Sequence, residues 1–125
     1  MSSLDLLSIG RVSVDLYAEQ PGVTMSDVTT FRKSIGGTAT NVAVATARYG
    51  HAVALATRVG DDQFGRYVAD TLRNTFNVDP RFVATHPTLK TPLAFAELDP
   101  PEDPTIIFYR EPAACLLYTS PSPRD

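Results

Sequence analysis

Two adjacent glycines, Gly36 and Gly37, followed by Thr38-Ala39-Thr40-Asn41-Val42-Ala43, constrain this chain more than any other stretch. A glycine pair permits positive φ and lets a ligand approach bare backbone, and the small polar residues behind it suit the first turn of a helix. The pattern reads as a pocket floor. Thr38, Thr40 and Asn41 would offer side-chain donors there, beside the helix's unpaired N–H groups, to a polyol or an anion. Downstream, Gly50 falls where that helix should end, and Gly60 opens the run Gly60-Asp61-Asp62-Gln63-Phe64-Gly65.

Around this centre the chain reads as α/β. Residues 4–9 are a short apolar run closed by Gly10, which length and position favour as a buried strand, although so short a run also suits a helix segment. Val12, Val14 and Leu16 then alternate with Arg11, Ser13, Asp15 and Tyr17. That places Asp15 on a polar face just beyond the strand's C-terminal end, where open α/β sheets bind ligands. Pro21-Gly22 predicts a turn into an extended or irregular segment, and residues 29–35 predict a strand returning to the glycine pair.

The helix predicted over 38–49 carries Val42, Ala45, Thr46 and Tyr49 as a core-facing stripe, with Ala39, Ala43 and Ala47 as a second line of small residues that permits close packing. Residues 51–59 are apolar or small at both alternating sets, as in a strand covered on both faces. Asp62 is expected to cap a helix containing Phe64, Tyr67, Val68, Thr71 and Leu72, and a capping and turn role is the commoner fate of Asp61 and Asp62 than ligand contact. Residues 82–84 predict one more short strand. Residues 91–98 and 105–109 flank a proline-rich turn and predict a hairpin that ends at Arg110.

The bulk properties exclude several classes. With 125 residues, 43% hydrophobic and 20% charged, the chain can bury a modest core as at most one globular domain. A net charge of -3 with no basic block argues against nucleic acid or an anionic membrane as partner. No apolar run is long enough to span a bilayer, and the N-terminus lacks a signal-peptide pattern, so the expectation is a cytoplasmic protein. Cys115 alone forms no internal disulfide and no metal spacing; His51 and His86 read as structural.

The array from Gly36 through Asn41, Ala43, Gly50 and Gly60 resembles the N-terminal signature of the ribokinase-like (PfkB) sugar kinases, with every fixed position filled. The resemblance runs from about residue 4 to residue 114. The runs at 60–65 and 108–112 look most like the branch that phosphorylates 5-dehydro-2-deoxygluconate, a keto sugar acid of inositol breakdown. The resemblance implies the N-terminal part of a three-layer α/β/α fold with a small β lid, which often also forms a homodimer contact. It implies substrate binding by Asp15, the Gly36-Gly37 backbone and Asn41 for hydroxyls. Arg110, whose planar fork matches a carboxylate, is implied as the ligand of the acid group. Phe108 departs from relatives that carry a tyrosine there. Arg32 and Lys33 could also reach an acidic substrate, though a surface basic pair is the commoner outcome.

Phosphoryl transfer needs a positioned acceptor hydroxyl, a base, and donors with Mg²⁺ on the phosphates. Only the first is legible. In the family the base is an aspartate in a Gly-Ala-Gly-Asp run late in a chain roughly twice this length or more. No Gly-x-Gly-Asp, Walker A or dinucleotide fingerprint occurs among these residues. The expectation is therefore a fragment, residues 1–114, of a kinase that uses ATP and Mg²⁺, with no catalytic, cofactor or metal residue of its own and no activity. A parallel sheet so cut would be poorly soluble or molten. Residues 115–125 have no structural period and look like translated adapter read-through; carrying one base and one acid, Arg124 and Asp125, they leave the net charge at -3. Alternatives are another sugar kinase of this fold, of ribokinase or fructokinase type, and a non-catalytic sugar-binding or dimerisation module; a dinucleotide-dependent oxidoreductase is a weak third.

Overall fold

Seven strands and two helices follow from this sequence in a computed structural model that describes residues 3–97, 105–110 and 113–114. In chain order they are β1 (Leu6–Ile9), β2 (Ser13–Ala18), a 3-10 turn at Met25–Asp27, β3 (Phe31–Gly36), α1 (Thr38–Arg48), β4 (Val53–Gly60), α2 (Gln63–Asn74), β5 (Val83–His86), β6 (Leu93–Ala96) and β7 (Ile106–Tyr109). The proline-rich turn before β7 and residues 115–125 lie outside the described residues.

The strands divide into two sheets. β1, β4 and β5 form a parallel sheet in that order, with Leu6 paired to Val53 and Thr57 to Val83. Parallel neighbours need a crossover, and α1 and α2 supply it. The second sheet has the order β3-β2-β6-β7, antiparallel except where β2 meets β6. This second sheet stands where the sequence leads one to expect a small β lid, beside the parallel sheet and its two helices. β2 is thus no continuation of β1. Only three residues separate the two strands, and alternation alone carries no record of which distant strand each will pair with.

Val53, Leu55 and Val59 of β4 meet Val68 and Leu72 of α2 and Ala43 and Ala47 of α1 in one cluster, joined by Val12, Val14 and Ile35 from the lid side. Fully burying each valine or leucine is worth roughly 1.5–3 kcal/mol. The buried line of α1 is Thr40, Ala43 and Ala47, not the expected stripe: Val42 is 45% exposed and Tyr49 83%. The reason is distance. Ser8 Oγ of β1 donates to the carbonyl of Ala39 at 2.8 Å, so the helix lies too close to the sheet for larger side chains between them. Gly50, at φ 89°, ends α1 as its C′ residue.

Ser8 points at α1, so Leu7 and Ile9 point to the opposite face of the parallel sheet, where they are 44% and 61% exposed. No helix covers that face among the described residues.

Asp62 caps α2 as expected, accepting from Gly65 N–H at 2.8 Å. It does more. Its carboxylate also accepts from Thr91 N–H at 3.0 Å and from Thr91 Oγ1 at 2.7 Å, while Gly60 N–H donates to Thr91 Oγ1 at 2.9 Å. Thr91 is buried and lies two residues before β6, so one carboxylate ties the start of α2 to the root of the lid. Burial alone would raise the Asp62 pKa, but bonds from Thr91 and from the backbone of Gly65 and Phe64 outweigh it and hold the group below its ordinary value. Asp61 pairs instead with exposed Arg66 at 3.3 Å.

Candidate functional site

The lid sheet folds back over the start of α1, and between them opens a cleft of about 670 Å³. Its floor is the backbone of Gly10 and Gly37 with Thr38 and Ala39; β2 supplies Ser13, Asp15 and Tyr17; β7 and its end supply Phe108 and Arg110. Of the expected site residues, the structure therefore brings Asp15, Gly37 and Arg110 together in one cleft.

Gly37 sits at φ 109°, and a Cβ there would come within 2.5 Å of the carbonyl oxygen of Arg11. No side chain fits. Gly36 is buried in β3 opposite Ser13, and does not line the cleft. It acts by leaving room: a Cβ at 36 would overlap the Asp15 carboxylate, which lies across it. The glycine pair thus has two separate tasks, one for the floor and one for the acid.

Asn41 is exposed and does not line the cleft, and Thr40 is buried, its Oγ1 donating to the Arg11 carbonyl at 3.2 Å. At roughly 100° per residue, Thr38, Ala39 and Val42 share one arc of α1, while Asn41 falls about a sixth of a turn outside it and Thr40 opposite. Asn41 contributes its N–H to the first bond of the helix, to the Gly37 carbonyl at 2.9 Å. Arg32 and Lys33 stay outside the cleft too; the Lys33 ammonium lies 4.1 Å from the centre of the Tyr67 ring.

The Asp15 carboxylate accepts from Ser13 Oγ at 2.7 Å and from Tyr17 Oη at 3.4 Å. Burial pushes the Tyr17 phenol up, the Asp15 charge and hydrogen bond push it further, and Arg32 across the strand pair opposes them. The guanidinium of Arg110 lies 4.1 Å from the centre of the Phe108 ring, which orients its plane. Arg11 also lines the cleft. In the sequence it is only one polar residue of an alternating run; its carbonyl lies against Gly37, a contact between residues far apart in the chain that alternation does not record. The cleft therefore combines the Asp15 carboxylate, two arginine residues, Arg11 and Arg110, and bare backbone.

His86 is structural: its Nδ1 accepts from the N–H groups of Thr88 and Leu89 at 3.1 and 2.9 Å. No helix among the described residues is long and apolar enough to cross a membrane.

Residues 3–121 match the pfkB family carbohydrate kinase model. The chain belongs to this family. Among curated members, it is 37% identical over 114 residues to the 5-dehydro-2-deoxygluconokinase of Geobacillus thermodenitrificans and 36% over 116 residues to that of Listeria innocua. These alignments cover 90% and 92% of this chain but 34% and 35% of the relatives, so the chain spans about a third of their length. Among solved structures, a sugar kinase from Pyrococcus horikoshii in complex with ATP superposes with a TM-score of 0.79 at 33% identity, over 87% of this chain and 35% of that one. A fructokinase from Xylella fastidiosa gives 0.75 at 38% identity, over 90% and 35%.

Proposed function

We propose that this chain is the substrate-binding, N-terminal part of an ATP-dependent cytoplasmic kinase for a keto sugar acid, 5-dehydro-2-deoxygluconate. The observation that carries the reading is the shared cleft of Asp15, Gly37 and Arg110. Asp15 accepts substrate hydroxyls, the Gly37 backbone admits the carbon chain closely, and Arg110 takes the carboxylate with its fork, with Arg11 adding a second positive charge. The names of the curated relatives support the acid. Gly36 serves by the space it gives Asp15, and Asn41, exposed and outside the cleft lining, contributes little.

Among the described residues no group of His, Cys, Asp or Glu is arranged to hold a metal ion. In this reading the nucleotide, Mg²⁺ and the catalytic base belong to later parts of the parent, and residues 1–114 alone bind substrate at most and do not turn it over. Residues 115–125 are foreign to the natural protein in this reading. The outer face of the lid, where Phe31 and Tyr109 pack edge-on against Phe95, provides the dimer contact of the parent.

The test is the full-length parent, purified and assayed with Mg-ATP against 5-dehydro-2-deoxygluconate, fructose and ribose. The acid should be preferred, and Arg110→Ala should raise its KM by about ten- to a hundred-fold while leaving fructose nearly unaffected, since a charge-assisted bond is worth roughly 1.5–3 kcal/mol. Preference for a neutral sugar, unchanged by Arg110→Ala, would replace this reading with a fructokinase or ribokinase.

A further inference from the structure

Ser13, Asp15 and Tyr17 occupy alternate positions of β2, so they project from one face of the lid sheet, and all three line the cleft. Each oxygen of the Asp15 carboxylate receives one hydroxyl from this strand, Oδ1 from Ser13 at 2.7 Å and Oδ2 from Tyr17 at 3.4 Å. The second is longer than an ordinary O–H···O bond, as contacts in ligand-free sites often are before they tighten. An ionised carboxylate has about four acceptor directions, so one bond on each oxygen leaves further capacity on both. Behind the carboxylate, Gly36 leaves the space that a Cβ at that position would take from it.

The proposed function uses Asp15 and leaves its two hydroxyl neighbours without a task. We infer that Tyr17, together with Ser13, is a positioning residue: the two hydroxyls fix the rotation of the Asp15 carboxylate so that its oxygens meet a pair of substrate hydroxyls. The inference rests on the proposed role of Asp15. A carboxylate held from one side only could turn about its last side-chain bond; held from both, it presents the remaining acceptor directions to the cleft. The phenol suits this work because it stays protonated, and so a donor, beside the acid.

The experiment uses the full-length parent with Mg-ATP and 5-dehydro-2-deoxygluconate, in the variants Tyr17→Phe, Ser13→Ala and Asp15→Asn and the doubles with Asp15→Asn. Tyr17→Phe keeps the ring and removes only the donor. It should raise KM about three- to ten-fold with kcat nearly unchanged, as loss of one hydrogen bond in binding does. In the Asp15→Asn background the same change should add nothing, because the group it positions is gone. Ser13→Ala should show the same coupling, which keeps the test open if Tyr17→Phe does not fold. An unchanged KM for both single variants, or an equal rise with and without Asp15, overturns the inference. If Asp15→Asn itself leaves KM untouched, the role of Asp15 fails first, and the two failures are told apart by that single variant.

Discussion

The two sheets of this molecule are built on opposite terms. The parallel sheet is closed on one side by α1 and α2, and its central strand β4 is buried along most of its length, so small residues set the packing distance. The lid sheet is thin and two-faced, with Asp15 and Tyr17 turned to the cleft and Phe31, Phe95 and Tyr109 in edge-on contact on the other side. The first derives its stability from volume filled. The second derives its usefulness from surface left open. They meet at Asp62 and Thr91.

Substitutions separate the two terms. The largest effect is expected for Gly36→Val, which drives a side chain into the Asp15 carboxylate; sugar binding by the parent, followed by calorimetry, should fall by about a hundred-fold or more, as losing buried charge-assisted bonds does. Next is Leu72→Ala, at a fully buried position in the helical half; urea unfolding of the parent should lose about 2–5 kcal/mol with substrate KM little changed. If KM rises as steeply as stability falls, the two halves are not separable in this way.

Asp62→Ala stands between the halves and should affect both. Loss of a cap costs about 0.5–2 kcal/mol, and hydrogen exchange should quicken in the first turn of α2 and at the root of β6 together. Its pH signature has a definite sign. The folded pKa lies below the ordinary 3.8, so the contribution of Asp62 is complete above that value and fades as pH falls through the lower folded one. Asp62→Asn should therefore flatten the acid limb of the stability profile below about 4, and a profile that keeps its slope would remove Asp62 from the account. The smallest effect belongs to Asn41→Ala, expected within about two-fold in KM because Asn41 lies outside the cleft lining.

Much of this was legible in the sequence, and the exceptions share a cause. Gly50, the Asp62 cap, the strand after His51 and the hairpin ending at Tyr109 are each fixed by a neighbour or two along the chain, and each is found where it was expected. The burial of α1 and the fate of Asn41 depend on how near the helix lies to β1, a distance set by the hydrogen bond from Ser8 to Ala39, 31 residues away. Periodicity gave two stripes on α1 and no means of choosing between them. Likewise Asp15 and Arg110 could each be named alone, but their common cleft, and the arrival of Arg11 in it, come from the parallel pairing of β2 with β6.

A single acid group joins a helix start to the strand that roofs the cleft, and this has a mechanical meaning. Fraying at the head of α2 and lifting of the roof bear on one another, because Gly65 and Thr91 both donate to the same carboxylate and share its Oδ1. A fold built this way ties the mobility of its cleft's entrance to the firmness of its interior, and a change that loosens one will be felt in how quickly the other admits a guest.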